Sequence, residues 1–148
     1  MLILKGSGGM GSADEALAGE IDWDEMYKLP KDEIELYTQF WKCHVEGNPV
    51  PANASEELLE KLKWTYYKPQ YYKDRYHNLA NYLTELAMFS TFAVLDSDKG
   101  WIESGELGWF GVDSGTDEDH EKWNKSFRSR FVDTLDPEDE IIIVDYHI

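Results

Sequence analysis

The stretch that decides how this chain is read is LDSDKGWIESGELGWF, Leu95–Phe110. Read one way it is a calcium loop, which sits between two helices; read the other way it is a turn, which joins two strands. A calcium loop takes oxygen ligands at positions 1, 3, 5, 7 and 9, Gly at 6, an aliphatic residue at 8 and a bidentate Glu at 12. With one residue deleted, Asp96, Asp98, Gly100, Ile102 and Glu106 match positions 1, 3, 6, 8 and 12. The deletion removes the fifth-position ligand and shortens the path around the ion. An exit helix would have to run through Gly105, Gly108 and Gly111, each costing about 1 kcal/mol relative to Ala. The approach, Thr91 to Leu95, carries Thr, Phe and Val and suits a strand, and a second loop to pair with is missing from the sequence. The stretch therefore reads as a hairpin: a strand over Phe92 to Asp96, a turn over Ser97 to Gly100 with Gly100 at positive φ, and a return beginning at Trp101.

Upstream of the hairpin the apolar period is helical. After Pro30, the run KDEIELYTQFWKCHVEG repeats Ile34, Tyr37, Phe40, Trp41 and Val45 at helical spacing, with acids in its first turn and Gly47, Asn48 and Pro49 as its stop. A second helix follows Asn53 or Ser55 as N-cap and aligns Leu58, Leu59, Leu62 and Tyr66. Pro69 opens a third, whose Tyr72, Tyr76, Leu79, Leu83 and Leu86 form one stripe. Lys63, Lys68, Lys73 and Arg75 are interleaved with these tyrosines, a composition that suits stacking of single strands. The helical spacing assigns most of the rings to a core instead, and His77 beside the stripe reads as a surface or capping residue.

Downstream, strands return. GWFGV at 108–112 reads as a second strand and DEIIIVDYHI at 139–148 as a third. Between them lies a fourth helix, with Thr116 or Asp117 as cap, Trp123, Phe127, Phe131 and Leu135 as its ladder and Pro137 as its stop. The expected architecture is α+β: a helical N-terminal half packed on a small antiparallel sheet of about three strands, with one helix inserted before the last strand.

At 148 residues the chain reads as one domain, 1–148, able to bury roughly two-thirds of its unfolded surface. The lead, MLILKGSGG and on to about residue 20, reads as disordered or vector-derived and outside the fold. One cysteine, Cys43, excludes an internal disulfide framework, and neither a signal-peptide pattern nor a long apolar span is present. A cytoplasmic protein is expected.

Charge is the unusual feature: 30 acidic residues against 14 basic, a net of −16. It is uneven, with two bases and six acids in residues 1–30, seven and nine in 31–95, and five and fourteen in 96–140. Such a field repels nucleic-acid backbones and attracts basic surfaces, so direct DNA or RNA contact is not expected. The helix start at Asp117, Glu118, Asp119 and Glu121 and the loop at Asp136, Glu138, Asp139 and Glu140 are the densest acidic groups and the candidate partner-binding residues.

No nucleophile elbow, zinc spacing or phosphate-cradling loop occurs, so neither an enzyme nor a cofactor is expected. Asp145 and His147 alternate on one strand and share a face; with Glu106 nearby they could do acid–base work or bind a metal, which keeps a small enzyme as an alternative. His44 beside Cys43 ends an amphipathic helix, and His120 lies among acids at a helix start.

The run STFAVLDSDKGWIESGELGWFG, Ser90–Gly111, and the terminal VDYHI resemble a group of uncharacterised proteins of phages and integrated mobile elements. The residues that carry the likeness are Gly100, Trp101, Gly105, Glu106, Gly108, Trp109, Phe110 and Gly111, then Val144, Asp145, His147 and Ile148. Tyr146 stands where that group commonly has cysteine, which weakens any thiol-based role. The resemblance implies a phage or mobile-element setting. Together with the charge, it leads us to expect an inhibitor that occupies the basic surface of a host nucleic-acid-binding defence enzyme, of the anti-CRISPR or anti-restriction type. A plain acidic accessory protein is the remaining alternative.

Overall fold

A computed structural model of the chain describes residues 1–7, 11–104 and 116–145. The fold is α+β, with helices beside small antiparallel strand pairs. The chain, expected as one domain, groups into two compact units: residues 28–87, and residues 1–27 together with 88–148.

The unit of residues 28–87 is helical. Pro30 precedes α2, Lys31–Phe40, which continues as a π-helical turn, Trp41–Val45. The wider turn carries the Glu46 N–H to the Trp41 carbonyl, 3.1 Å, and Gly47 exits at φ 76°. Ser55 caps α3, Glu56–Trp64, its hydroxyl accepting the Leu58 N–H at 3.2 Å. Pro69 is the first residue of α4, Pro69–Tyr76, where its missing N–H leaves no helical bond unmade. The core gathers Phe40, Trp41, Val45, Leu58 and Tyr82, flanked by Tyr37, Leu62, Tyr72, Tyr76 and Leu79. Burial pushes the Tyr82 phenol well up, with Tyr72 and Tyr76 adding to it.

The third helix expected from the sequence is in fact two. His77 takes φ 66°, and α5 covers Leu79–Leu86. The cause is local: the Asn78 carboxamide oxygen accepts the Asn81 N–H at 2.9 Å, capping a new helix rather than continuing the old one. The break also changes which residues face inward. Tyr82, outside the expected stripe, becomes the buried residue of α5, its ring 5.0 Å from Tyr76 and 6.0 Å from Tyr72.

In the other unit, α1 is Trp23–Met26 and α6 is Asp117–Phe127, prolonged by a π-helical turn over Arg128–Val132. The Thr116 hydroxyl accepts the Asp119 N–H while the Asp119 carboxylate accepts the Thr116 N–H, a reciprocal cap. Trp123, Phe127 and Val132 form the core with Trp23, Phe89, Val94, Ile102 and Phe131. The Trp123 indole N–H donates to the Thr91 carbonyl at 2.8 Å, fixing the entry to the hairpin against α6.

Among the described residues the strands are β1 Leu2–Ile3, β2 Ser12–Ala13, β3 Glu15–Leu17, β4 Ala93–Asp96, β5 Gly100–Glu103 and β6 Glu140–Ile142. They pair as β1 with β2, β3 with β6 and β4 with β5, all antiparallel. The hairpin falls where the sequence sets it, with Gly100 at φ 76°. Two expectations are corrected. In place of one sheet of about three strands there are separate two-stranded pairs, and β6 meets β3 rather than the hairpin; the candidate strand at 108–112 lies outside the described residues. The lead is not outside the fold: Leu2 and Ile21 are fully buried and Ala18 nearly so, and this segment supplies β1, β2, β3 and a bridge from Leu4 to Ile21. Among the described residues no helix is long and apolar enough to cross a membrane.

Candidate functional site

The charge divides with the fold. Residues 28–87 hold eight basic and nine acidic residues, a net of −1; residues 1–27 and 88–148 hold six basic and 21 acidic, a net of −15. Nearly the whole field of the protein therefore originates in one unit.

Within that unit one group of acids lies on and beside the β3–β6 ribbon. Its register pairs Glu15 with Ile142, Ala16 with Ile141 and Leu17 with Glu140. Alternation sends Ala16 and Ile141 inward and leaves Glu15, Leu17, Glu140 and Ile142 exposed on one face. Three further backbone bonds lengthen the ribbon: Ile143 N–H to the Asp14 carbonyl at 2.7 Å, Ala18 N–H to Asp139 at 2.8 Å and Gly19 N–H to Pro137 at 2.9 Å. Gly19 allows the last contact, since a Cβ there would stand 3.0 Å from both the Pro137 Cβ and its carbonyl oxygen.

The adjoining loop is a closed turn. Asp139 accepts the Asp136 N–H through its carboxylate at 2.8 Å and returns its own N–H to the Asp136 carbonyl at 3.0 Å. Asp136, Glu138, Asp139 and Glu140 are all exposed, and among the described residues none of them pairs with a lysine or arginine. Asp14 and Glu15, set aside with the lead in the sequence reading, join this group through the strand pairing. Nothing in SADEALA marks them, since its polar and apolar residues do not alternate through Asp14–Glu15 and Ala16–Ala18.

The second expected acidic group is different. On α6, Glu118 pairs with Lys122 at 3.0 Å and Glu121 pairs with Lys125, both one helical turn apart. Asp119 is spent on the cap, and the Thr116 hydroxyl and N–H hold its carboxyl below the ordinary range. Asp117 is exposed at the helix start. Arg128 reaches Asp24 at 2.8 Å and Asp133 at 3.4 Å. Helix α6 is thus a largely self-neutralised face, and the ribbon with its loop is the uncompensated one.

In the hairpin, the Asp96 carboxylate accepts the Asp98 and Lys99 N–H groups at 2.9 and 2.8 Å, and these bonds lower its pKa. Its oxygen serves the turn. Trp101 is exposed and donates its indole N–H to Glu103 at 2.6 Å. Glu106, Gly108, Trp109, Phe110, Gly111 and His147 lie outside the described residues; Asp145 is exposed beyond β6. The expected pairing of Asp145 with His147 therefore falls outside the described residues.

The lysine- and tyrosine-rich segment belongs only in part to the core that its spacing predicts. Tyr72 and Tyr76 pack in the core as expected, but Trp64, Tyr66 and Tyr67 are exposed at 72%, 89% and 47%. Helix α3 ends at Trp64, and Thr65 is extended, so Tyr66 leaves the helical face its spacing had assigned it. Comparison with known proteins adds nothing to this description: no family model, no curated protein and no solved structure matches the chain.

Proposed function

We propose that this is a non-enzymatic interaction protein whose acidic unit occupies a basic, nucleic-acid-binding surface on a partner protein. The observation that carries the reading is the segregation of charge, −15 in one unit against −1 in the other, together with a ribbon and loop whose acids have no lysine or arginine partner among the described residues. Carboxylates on paired strands sit at fixed spacings, as phosphates do on a backbone, and cost little ordering entropy when they meet a row of arginines or lysines. Leu17 and Ile142, exposed between Glu15 and Glu140, supply apolar contact on the same face. The phage or mobile-element setting, the host cytoplasm and the anti-CRISPR or anti-restriction class belong to this proposal through the resemblance of Gly100, Trp101 and their neighbours.

The test is retention of a host nucleic-acid-binding protein on the immobilised chain at low salt, its release as salt rises, and loss of its nucleic-acid binding in the complex. The joint substitution Asp136→Asn, Glu138→Gln, Asp139→Asn and Glu140→Gln is expected to abolish capture while Glu118→Gln leaves it intact. Absence of any basic partner at low salt removes the reading.

A further inference from the structure

The total charge argues against polyanions, but that total belongs to the other unit. Within residues 28–87, the run from Lys61 to Arg75 holds five basic residues and one acid, Asp74. Among the described residues Lys63, Lys68 and Lys73 have no carboxylate partner, although acids outnumber bases two to one in the chain. Lys61, also without a carboxylate partner there, stands 4.7 Å over the Tyr37 ring, and Arg75 meets Glu85 at 3.5 Å.

Exposed rings lie among Lys63, Lys68 and Lys73. Tyr67 stacks on Tyr71 with centroids 4.0 Å apart and planes at 13°, Tyr66 meets Tyr67 edge-on at 5.4 Å, and Lys63 lies 5.0 Å over Trp64. The backbone beneath is held by contacts of its own. The His44 ring nitrogen lies 2.8 Å from the Tyr67 carbonyl oxygen, and the Thr65 and Tyr72 hydroxyls are 3.2 Å apart. The rings are therefore presented rather than loosely attached.

We propose that this face binds single-stranded nucleic acid, with bases stacking on Trp64 and Tyr66 and phosphates meeting Lys63, Lys68 and Lys73. Every base has a π-face, so such a platform is indifferent to sequence, while the bases of a duplex are stacked on one another and offer none. A protein partner fits less well, because the buried centres of protein interfaces are depleted in lysine, which here alternates with the rings. The proposal is independent of the role given to the acidic ribbon.

The experiment is fluorescence anisotropy of labelled oligothymidylate and oligouridylate with the full chain at low salt, with the matching duplex and heparin as controls. Saturable binding is expected to one or both single strands. Tyr66→Ala and Trp64→Ala should each weaken it by about tenfold, with unchanged Tm because both side chains are exposed. Three phosphate contacts give a slope of log K against log salt no steeper than about −2, and Lys68→Glu with Lys73→Glu should remove binding. Neutralising Asp136, Glu138, Asp139 and Glu140 should leave oligonucleotide affinity unchanged or higher. Three outcomes overturn the proposal: no anisotropy change; binding shared with heparin and the duplex and unmoved by the ring variants; or self-association that Tyr66→Ala abolishes, which assigns the face to a second copy.

Discussion

Residues 28–87 hold eight bases to nine acids and bury Phe40, Trp41, Leu58 and Tyr82 around one another; residues 1–27 and 88–148 hold six bases to 21 acids and close through a strand pair drawn from Glu15–Leu17 and Glu140–Ile142. The first arrangement is built from neighbours in sequence, the second from partners more than a hundred residues apart. The contrast teaches that net charge is a property of a unit rather than of a chain. A total of −16 describes one unit well and the other hardly at all.

The comparison breaks most easily in the aromatic core. Phe40→Ala should cost about 3–5 kcal/mol in urea denaturation, since its ring is fully buried against Tyr72, Tyr82 and His44. Gly19→Ala attacks the other unit where Gly19 meets Pro137, and overpacking there should cost about 1–3 kcal/mol, with low-salt capture weakened alongside.

Two helix caps then offer a matched pair. Ser55→Ala on α3 and Thr116→Ala on α6 should each cost about 1 kcal/mol, read as equal shifts of the urea midpoint. They should part company in acid, because only Thr116 supports a titrating group.

The pH limits sharpen the contrast at opposite ends. Asp96 and Asp119 titrate below their ordinary range, so their contribution is present above the unfolded carboxylate value near ~3.9 and is lost as pH falls through the folded values. Tyr82 titrates above its ordinary range, so its contribution is present below the unfolded value of about 10 and is lost as pH rises through the folded one. Tyr82→Phe should flatten the alkaline limb, followed by tyrosinate absorbance and circular dichroism, and leave the acid limb unchanged. The smallest effect belongs to the ribbon face: Leu17→Ser and Ile142→Ser should each move stability by no more than about 0.5 kcal/mol, yet weaken partner capture.

Much of this was legible in local chemistry. Ser55 and Thr116 announce their helices, Pro69 opens another, and Gly100 marks the hairpin turn, because caps and turns are decided by residues within reach of one another. What escaped was decided at a distance or by direction. Glu15–Leu17 carries only Glu, Ala and Leu, which name no partner, so its pairing with β6 is invisible in the sequence. The stripe from Tyr72 to Leu86 reads as one helix, whereas the Asn78 side chain within that span starts a second one. Tyr66 has the spacing of a core residue, but the chain leaves the helix just before it, so periodicity alone misplaced it. Composition marks the acidic loop, whereas the neutralisation of Glu118 and Glu121 on α6 depends on where Lys122 and Lys125 place their ammonium groups.

Because Glu15–Leu17 waits for Glu140–Ile142, the order of synthesis matters. A growing chain on the ribosome can complete the helices of residues 28–87 while Glu15–Leu17 still lacks its mate. The ribbon can form only after the codons for its second strand have been translated, so a prematurely terminated polypeptide would display the rings of Tyr66 and Tyr67 without the carboxylate face.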